Sequence, residues 1–488
     1  TIPLWHAERA PVRTTMSYLA ATGIDPVALA STPGPGAPIG DGTVEFASFA
    51  SDDAAGPGVP LAPAVVTPAQ ETAPFSVVGV VTEGTLDPES RILVRVRADG
   101  AWSSWQVLPV SDHLPDPGTA EAARARSTSE PLVASQADGV QVRIDTPTGT
   151  VPAGTQIALV HSPEVPDDAA VGGSIPATLD TVAATPAMPH IISRAQWGAD
   201  ESMVRDAPEY SDTIKVGFVH HVVTTNDYAP SEAASLMRGV FDWFVQGEGV
   251  NDFGYNFMVD RYGRIFEGRK GSIEGAVIGA HTSGFNRDTF AVSFLGNSDT
   301  LNPTKSQGQA IVNAYGRIMA WKLAQFHRSP LGTAVLTSAG PGPGQGTTSM
   351  YWPGARVRVP TILGHGDIGS TACPGKFLHD SIAAIRDAVV ARMGSMLYNP
   401  FASDREWGST DLMTVRARAT ADTSWTLKVY SACGDLQSTV TGDVGAGGIV
   451  LAQWDGMNQA GKPAPPGTYR LELSGEAGAD DPLPWTGF

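Results

Sequence analysis

A glycine-rich stretch from Thr361 to Phe377, TILGHGDIGSTACPGKF, contains side chains that can bind a metal ion. His365 offers an imidazole nitrogen and Cys373 a thiolate, and this pair of donors suits zinc, Zn2+. A catalytic zinc site uses three protein ligands and keeps one position open. The stretch therefore predicts two ligands of a metal site and requires a third from another part of the chain.

The third ligand is expected from the pair His220 and His221 in KVGFVHHVVTTN, an apolar, β-branched run that predicts a strand. Neighbouring side chains on a strand point to opposite faces, so only one of the two can reach the metal. Other interpretations remain open at this point. A histidine beside an apolar strand is commonly a hydrogen-bonded core residue. Cys373 and Cys433 could also form a disulfide in an exported chain.

The elements around these residues alternate between strands and helices. Apolar residues recur at three and four positions from Ala233 to Phe244, and further helices are expected at about 306–326 and 379–393. The stretch 329–359, which contains GPGPGQG, is expected to be a loop insertion before the strand that leads to Cys373. Because strands separate these helices, the pattern predicts an α/β domain in which helices pack on a mixed central sheet.

Six motifs between about His190 and Met393 stand in the order typical of one enzyme family. They are ISRAQWGA (192–199), FVHHVVTT (218–225), FGYNFMVDRYGRIFEGR (253–269), GAHTSGFN (279–286), FAVSFLGN (290–297) and GHGDIGSTACPG (364–375). Together they closely resemble the zinc-dependent N-acetylmuramoyl-L-alanine amidases, which share a fold with peptidoglycan recognition proteins. The resemblance implies a hydrolase that cuts the amide between the lactyl group of N-acetylmuramic acid and L-alanine of the peptidoglycan stem peptide.

The resemblance also implies roles for individual residues. His220, His365 and Cys373 fall on the family's zinc-ligand positions. Tyr255 and Thr371 fall on the positions of its catalytic helpers, where they would assist the metal in stabilising the tetrahedral oxyanion. The groove is expected to present four further side chains to substrate: His281, Asn256, His221 and Asn286.

Two positions depart from the family pattern. Gly366 stands where the family usually carries Arg, and Ser293 stands where some amidases carry Glu. Proton shuttling by a carboxylate is therefore not expected.

Two other classes compete with the enzyme interpretation. Some relatives bind peptidoglycan as recognition or scaffold proteins without cutting it, but these typically lack the Cys ligand. A cysteine peptidase could use Cys373 as nucleophile. The residues directly after Cys373 are Pro-Gly, so the thiol lacks the helix N-terminus that usually lowers a nucleophile's pKa.

The length of 488 residues fits several domains. We expect a Pro/Gly/Ala-rich segment over 1–73, a β-sandwich-like domain over 74–163 and a linker over 164–188, followed by the amidase domain over 189–396. Residues 397–488 resemble the immunoglobulin-like domain at the end of flagellar hook-capping proteins, which implies a β-sandwich. The fold class is thus multidomain, with an α/β domain between two β domains.

The net charge of −18 argues against nucleic acid or an anionic membrane as a partner. No apolar run approaches the ~18 residues that a transmembrane helix needs. Residues 1–30 lack the basic start and apolar stretch of a signal peptide. With bacterial peptidoglycan as the implied partner, we expect a mature chain, secreted or located in the cell wall. The sequence does not predict an oligomeric state.

Overall fold

The computed structural model describes residues 9–34, 60–171, 186–222, 224–341, 348–403, 412–477 and 481–487. The chain divides into two compact units. The first contains Thr1–Pro176, His190–Ala314 and Val335–Ile382, and the second contains Ala177–Pro189, Tyr315–Ala334 and Ala383–Phe488. Within the described ranges, every helix is too short or too polar to cross a membrane.

The N-terminal part of the first unit is a β domain of nine strands among the described residues. The strands are β1 (Thr15–Ala20), β2 (Ala62–Val66), β3 (Gln70–Thr82), β4 (Arg91–Ala98), β5 (Ala101–Trp102), β6 (Gln106–Leu108), β7 (Ser127–Thr128), β8 (Leu132–Thr146) and β9 (Gln156–His161). The main order is β1-β9-β3-β8-β4-β5. Val80, Val94 and Val142 are fully buried between these strands, as the alternating apolar pattern predicts.

Residues 1–73 contribute more structure than the sequence analysis predicts. β1 pairs with β9 and β2 pairs with β8, and a short helix α1 (Pro26–Ser31) lies between β1 and β2 in the chain. Val65 and Val66 are buried, because the core of the β domain extends over them. Residues 1–8 and 35–59 of this segment lie outside the described residues. The domain boundaries stay a prediction.

The predicted linker over 164–188 begins with a fixed turn. Helix α2 (Asp168–Val171) buries Asp168, whose carboxylate pairs with Arg9 at 2.6 Å and with Arg238 at 2.8 Å. Residues 172–185 lie outside the described residues.

The second part of the first unit contains the mixed sheet that the sequence predicts. Its strands are β10 (Ile191–Ile192), β11 (Val216–Val222), β12 (Phe257–Asp260), β13 (Ile265–Glu267), β14 (Thr289–Leu295) and β17 (Ile362–Gly364). The order is β10-β13-β12-β14-β11-β17. β11 runs parallel to both β14 and β17, whereas β12 and β13 are antiparallel. Every residue of β11 is buried, as expected for a central strand.

The helices follow the predicted spacing. They are α3 (Arg194–Trp197), α4 (Ala233–Asp242), α5 (Lys305–Gln325) and α6 (Lys376–Val390), with short 3₁₀ turns at Glu201–Met203 and His365–Asp367. α4 continues into a π-helical turn, Trp243–Glu248, and is buried throughout. α4 packs so closely against β3 that a Cβ added to Gly239 would lie 2.8 Å from Val77 Cγ2. The last helix begins at Lys376, before the predicted start at His379.

The stretch 329–359, predicted as a loop insertion, contains a hairpin. β15 (Thr333–Thr337) pairs with β16 (Arg356–Pro360) in a two-stranded sheet. Both segments contain β-branched residues, which favour strands. The prediction of a loop relied on the glycines of the stretch and gave these residues too little weight. Residues 342–347 of the insertion lie outside the described residues.

The second unit contains the expected immunoglobulin-like β-sandwich. Its strands are β18 (Leu397–Ala402), β19 (Met413–Ala419), β20 (Thr423–Ser431), β21 (Leu436–Val444), β22 (Ile449–Trp454), β23 (Tyr469–Glu476) and β24 (Trp485–Gly487). In the described part they form two sheets, β18-β19-β22 and β21-β20-β23-β24. Val415, Leu427, Val450 and Leu473 are buried in the core that the two sheets enclose.

Candidate metal centre

Two parallel strands of the mixed sheet bring the first two predicted ligands together. His220 lies on β11, and His365 directly follows β17. Val219 on β11 pairs with Gly364 on β17, so the residues after this pair emerge at the same edge of the sheet. The ring centroids of His220 and His365 are 4.7 Å apart. The neighbouring side chain, His221, points to the opposite face, where its Nδ1 accepts a hydrogen bond from the Ser298 N–H at 3.1 Å.

Cys373 returns to these histidines through the glycine-rich turn. The Gly366 N–H donates to the Cys373 carbonyl at 2.7 Å, which closes the turn. Cys373 Sγ lies 3.4 Å from His220 Nδ1. The structure therefore brings all three predicted metal ligands, His220, His365 and Cys373, into one cluster.

A fourth member of the cluster comes from the N-terminal β domain. One donor atom from each of four side chains lies within 4.8 Å of the others: His113, His220, His365 and Cys373. All four are buried. His113 follows β6, and its ring centroid lies 5.8 Å from that of His220. The sequence analysis missed this residue. The available signal was the acid–imidazole pair Asp112-His113 in the proline-flanked segment SDHLPDPG.

The donor set fits zinc. Three imidazoles and one thiol are the ligand types that zinc prefers in tetrahedral sites. His365 Nδ1 is buried without a hydrogen-bond partner among the described residues; Asp112 Oδ2 lies 3.7 Å from it, beyond hydrogen-bond distance, so the nitrogen is available to a cation. His220 Nε2 lies 3.2 Å from Thr282 Oγ1, a contact that fixes the ring and leaves Nδ1 facing Cys373.

Burial sets the charge states of the ligands. It lowers the pKa of His220 well below its usual value and also lowers the pKa of His365, so both are neutral imidazoles with a free lone pair. Burial raises the pKa of Cys373 to about 11, so without a cation the sulfur keeps its proton. A neutral thiol is a poor nucleophile, which argues against the cysteine peptidase interpretation. Cys373 and Cys433 are both free, so no disulfide fixes the turn.

His113 differs from the other imidazoles. Burial opposes its charge, but the carboxylates of Glu130 and Asp112 outweigh burial and raise the pKa of His113 well above its usual value. His113 Nδ1 lies 2.9 Å from Glu130 Oε1, and its Nε2 lies 3.4 Å from Asp112 Oδ1. In the metal-free protein these two carboxylates thus stabilise the charged form of His113.

The two predicted catalytic helpers lie at the edge of the cluster. The Tyr255 hydroxyl is 2.8 Å from His113 Nε2 and 3.3 Å from the His221 carbonyl oxygen. Burial raises the pKa of Tyr255 well above its usual value, so the hydroxyl keeps its proton and remains a hydrogen-bond donor. Thr371 Oγ1 accepts from the Cys373 N–H at 3.2 Å, which orders the ligand turn.

The predicted substrate residues have different surroundings. His281 lies beside the cluster, with its ring centroid 5.5 Å from that of His220. The Asn286 side chain donates to the Leu114 carbonyl at 2.9 Å and to Asp116 Oδ1 at 2.8 Å. The amide of Asn256 bonds Ser272 Oγ and two backbone groups inside the domain. Substrate contacts of all these residues stay a prediction.

The structure shows the surroundings of Gly366 and Ser293, the two positions that depart from the family pattern. A Cβ on Gly366 would lie 2.8 Å from the Thr371 carbonyl oxygen and 3.0 Å from that of Cys373, so the turn as folded has no room for a side chain. Ser293 pairs with His220 across β14 and β11, and its Oγ is buried without a hydrogen-bond partner among the described residues. The carboxylates near the cluster come from the N-terminal β domain instead, as Asp112 and Glu130.

Residues 111–117 form a segment that lies over this edge of the sheet, and we call it the covering segment. Its Asp116 accepts hydrogen bonds from the backbone N–H groups of Gly284 at 3.0 Å, Asn286 at 3.2 Å and Arg287 at 3.3 Å. A cleft of about 480 Å³ opens beside it, lined in part by Asp116, Glu121, Asn251, Arg269 and Phe285.

Three family models match consecutive parts of the chain. Residues 35–167 match the Rv3811 N-terminal galactose-binding domain-like family, residues 210–376 match the N-acetylmuramoyl-L-alanine amidase family, and residues 403–479 match the FlgD Ig-like domain. His220, His365 and Cys373 lie inside the amidase match, whereas His113 lies in the preceding domain.

Individual relatives resemble the central part. Peptidoglycan-recognition protein SC2 of Drosophila melanogaster is 27% identical over 194 residues, which cover 39% of this chain and 84% of that protein. Peptidoglycan-recognition protein LE of Drosophila melanogaster is 32% identical over 106 residues, covering 22% of this chain and 29% of that protein. The solved structure of human PGRP-IβC in complex with glycosamyl muramyl pentapeptide is 21% identical, with a TM-score of 0.29; the match covers 40% of this chain and 95% of that one.

Proposed function

We propose that the chain is a zinc-dependent amidase that hydrolyses the amide between the lactyl group of N-acetylmuramic acid and L-alanine of the peptidoglycan stem peptide. The observation that supports this proposal is the buried cluster of His220, His365 and Cys373 within a domain of the N-acetylmuramoyl-L-alanine amidase family. Relatives that bind without cutting typically lack the Cys ligand, and this chain has it.

Zinc, when bound, supplies a Lewis acid that polarises the scissile carbonyl and activates a water molecule. His220 Nδ1 and Cys373 Sγ converge from a rigid strand and a closed turn, so their positions are set before substrate arrives. Thr282 holds the far side of the His220 ring. Thr371 holds the backbone of Cys373.

Tyr255 is the best-placed donor for the developing oxyanion. Its hydroxyl points into the cluster, and it is protonated because burial raises its pKa. Protonated donors aimed at developing charge provide a large part of the rate enhancement in such reactions. In the folded chain this hydroxyl contacts His113, so it becomes available to substrate when His113 is displaced.

The proposed substrate determines the proposed location. Peptidoglycan lies outside the bacterial cytoplasmic membrane, so we propose that the chain acts as a secreted or cell-wall protein. The excess of acidic residues fits a partner that is recognised by local hydrogen bonds and not by bulk charge.

A second function is peptidoglycan binding without cleavage. One observation favours it: the ligands are buried, with exposed fractions of 0% for His220, 1% for His365 and 6% for Cys373. A site that stays this closed could recognise wall fragments in the neighbouring cleft without cutting them.

The two functions are separated by a digestion. The zinc-loaded chain is incubated with purified peptidoglycan, and the soluble products are analysed by mass spectrometry. Asp116→Ala is assayed beside the parent, because it removes the carboxylate that holds the covering segment. Stem peptides with a free N-terminal alanine are expected, and they should disappear with a chelator and in Cys373→Ala. Wall binding without release by the parent or by Asp116→Ala would establish the second function.

A further inference from the structure

The metal cluster contains one more donor than a catalytic zinc site uses. Three donors belong to the amidase-family domain, and the fourth, His113, belongs to the N-terminal β domain. We propose that His113 is the fourth protein ligand of the metal, and that the covering segment thereby holds the amidase in a closed state. This inference rests on the proposed function.

The orientation of His113 is that of a ligand. Its Nδ1 lies 2.9 Å from Glu130 Oε1, and its other nitrogen, Nε2, lies 3.4 Å from Asp112 Oδ1. Metal-binding histidines commonly hold their second nitrogen against a carboxylate in this way. Nε2 lies 2.8 Å from the Tyr255 hydroxyl, so His113 occupies the place from which Tyr255 would otherwise face substrate.

The covering segment is anchored on both sides of His113. Before it, Ser111 Oγ donates to Glu248 Oε1 at 3.0 Å, and the Thr348 hydroxyl donates to Asp112 Oδ2 at 3.0 Å. After it, the Asn286 side chain donates to the Leu114 carbonyl. These contacts order the segment independently of any metal, so His113 is presented to the cluster in advance.

Asp116 is the strongest of these anchors. Its carboxylate receives three backbone N–H groups and the Asn286 side chain, all from the stretch that follows β13. The sequence predicts that Asn286 contacts substrate, yet in the folded chain its amide holds the covering segment. The segment therefore occupies a position that the proposed substrate would need.

The chemical consequence follows from the number of ligands. A zinc site with four protein ligands is closed and structural, whereas a catalytic site keeps a position open. With His113 bound, substrate and water have no free position at the metal. Movement of the covering segment would exchange the His113 nitrogen for water and would free Tyr255 in the same step.

The first test reads the metal and not the activity. X-ray absorption at the zinc edge of the full chain should fit three imidazoles and one sulfur, and two imidazoles and one sulfur in His113→Ala. In the cobalt-substituted proteins, azide should change the visible spectrum of His113→Ala and Asp116→Ala but not that of the parent. His190→Ala, which removes an exposed histidine, is the matched control and should behave as the parent does.

Zinc affinity supplies a second readout. Even the outer hydrogen-bonding partners of a metal ligand are worth about 10–100-fold in affinity, so loss of the ligand itself should weaken zinc binding by at least about tenfold in His113→Ala. Asp116→Ala retains the histidine and should weaken binding less. If His113→Ala does not fold, the absorption spectrum of the parent and the azide response of Asp116→Ala still decide the question.

The outcomes separate this proposal from the proposed function. Faster release of stem peptides by Asp116→Ala than by the parent and by the control Asp87→Ala is expected. A parent that responds to azide, or that shows only two imidazoles at zinc, would overturn the fourth-ligand assignment even if it cleaves peptidoglycan. A closed metal in the parent and an open one in Asp116→Ala, with no cleavage by either, would support the assignment and overturn the amidase function.

Discussion

Glu248 provides a quantitative test of how the N-terminal β domain is held against the central domain. It ends the π-helical turn after α4 and is fully buried. Its Oε1 accepts hydrogen bonds from Ser111 Oγ at 3.0 Å and Trp243 Nε1 at 3.3 Å, whereas its Oε2 is buried without a partner among the described residues. Burial, followed by repulsion from Glu130, raises the pKa of Glu248 from 4.5 to about 8.

The sign of the resulting pH dependence follows from linkage. Between pH 4.5 and 8 the unfolded chain has lost this proton while the folded chain keeps it, so the folded state is progressively destabilised as the pH rises. A pKa difference of about 3.5 at 1.36 kcal/mol per pH unit corresponds to about 5 kcal/mol of unfolding free energy as an upper limit. The destabilisation is absent below pH 4.5 and complete above pH 8.

Glu248→Gln removes the ionisation and keeps the shape. We expect the variant and the parent to melt at similar temperatures at pH 5, and the variant to melt higher by up to about 10 °C at pH 8.5, at about 2 °C per kcal/mol. Differential scanning calorimetry of the metal-free proteins measures this difference. Glu89→Gln, at an exposed position, is the control and should show no pH-dependent difference. Parallel curves for Glu248→Gln and the parent would refute the buried, protonated state of Glu248.

Three further predictions concern the metal centre. Because burial raises the pKa of Cys373 to about 11, zinc binding should release the thiol proton throughout pH 7–9.5, in addition to any proton that His113 loses, and calorimetry in buffers of different ionisation enthalpy measures the total. Cys373→Ser should release one proton fewer than the parent, and a difference that halves near pH 8.5 would contradict the buried thiol. Tyr255→Phe in the Asp116→Ala background should lower kcat about 100-fold with unchanged zinc affinity, since a donor to the oxyanion is lost. Equal turnover by Asp116→Ala with and without Tyr255→Phe would remove Tyr255 from the mechanism. Gly366→Arg should destabilise the ligand turn by about 1–3 kcal/mol and weaken zinc binding, because the Cβ of the new side chain would meet the Thr371 carbonyl oxygen at 2.8 Å. An unchanged zinc affinity would contradict this and show that the turn can adjust.

Much of the fold could be predicted from local patterns. The run KVGFVHHV is apolar and β-branched, and it forms the fully buried strand β11. The apolar spacing after Ala233 predicts α4 correctly. Alternating apolar residues in the first domain predict its strands, but they do not predict that β1 pairs with β9 or that β2 pairs with β8. A short strand in a Pro/Gly-rich segment depends on partners distant in sequence.

The residues of the site also differ in whether local motifs or contacts between distant parts of the chain bring them together. The clustering of His220, His365 and Cys373 could be predicted from the family resemblance, and the parallel pairing of β11 with β17 brings the two histidines together. His113 could not, because its contact with Tyr255 spans 142 residues and joins two domains. A sequence pattern carries no information on which loop of one domain covers the edge of another.

The side chains of Asn256 and Asn286 illustrate why the roles of groove residues are hard to predict from a sequence. Both stand in the family motifs, but the amide of Asn256 is used inside the domain, and that of Asn286 holds the covering segment. The sequence does not show whether an asparagine amide bonds to backbone groups or binds a ligand, because the same side chain can do both.

The central claim, that the chain is a zinc amidase, is tested most directly by mass spectrometry of peptidoglycan digested with zinc-loaded Asp116→Ala. The double variant Asp116→Ala/Cys373→Ala serves as the matched control. The proposed function predicts stem peptides with a free N-terminal alanine from the first protein, none after chelation, recovery on adding zinc, and none from the control. Absence of these peptides from Asp116→Ala, in a protein that has bound zinc, would contradict it.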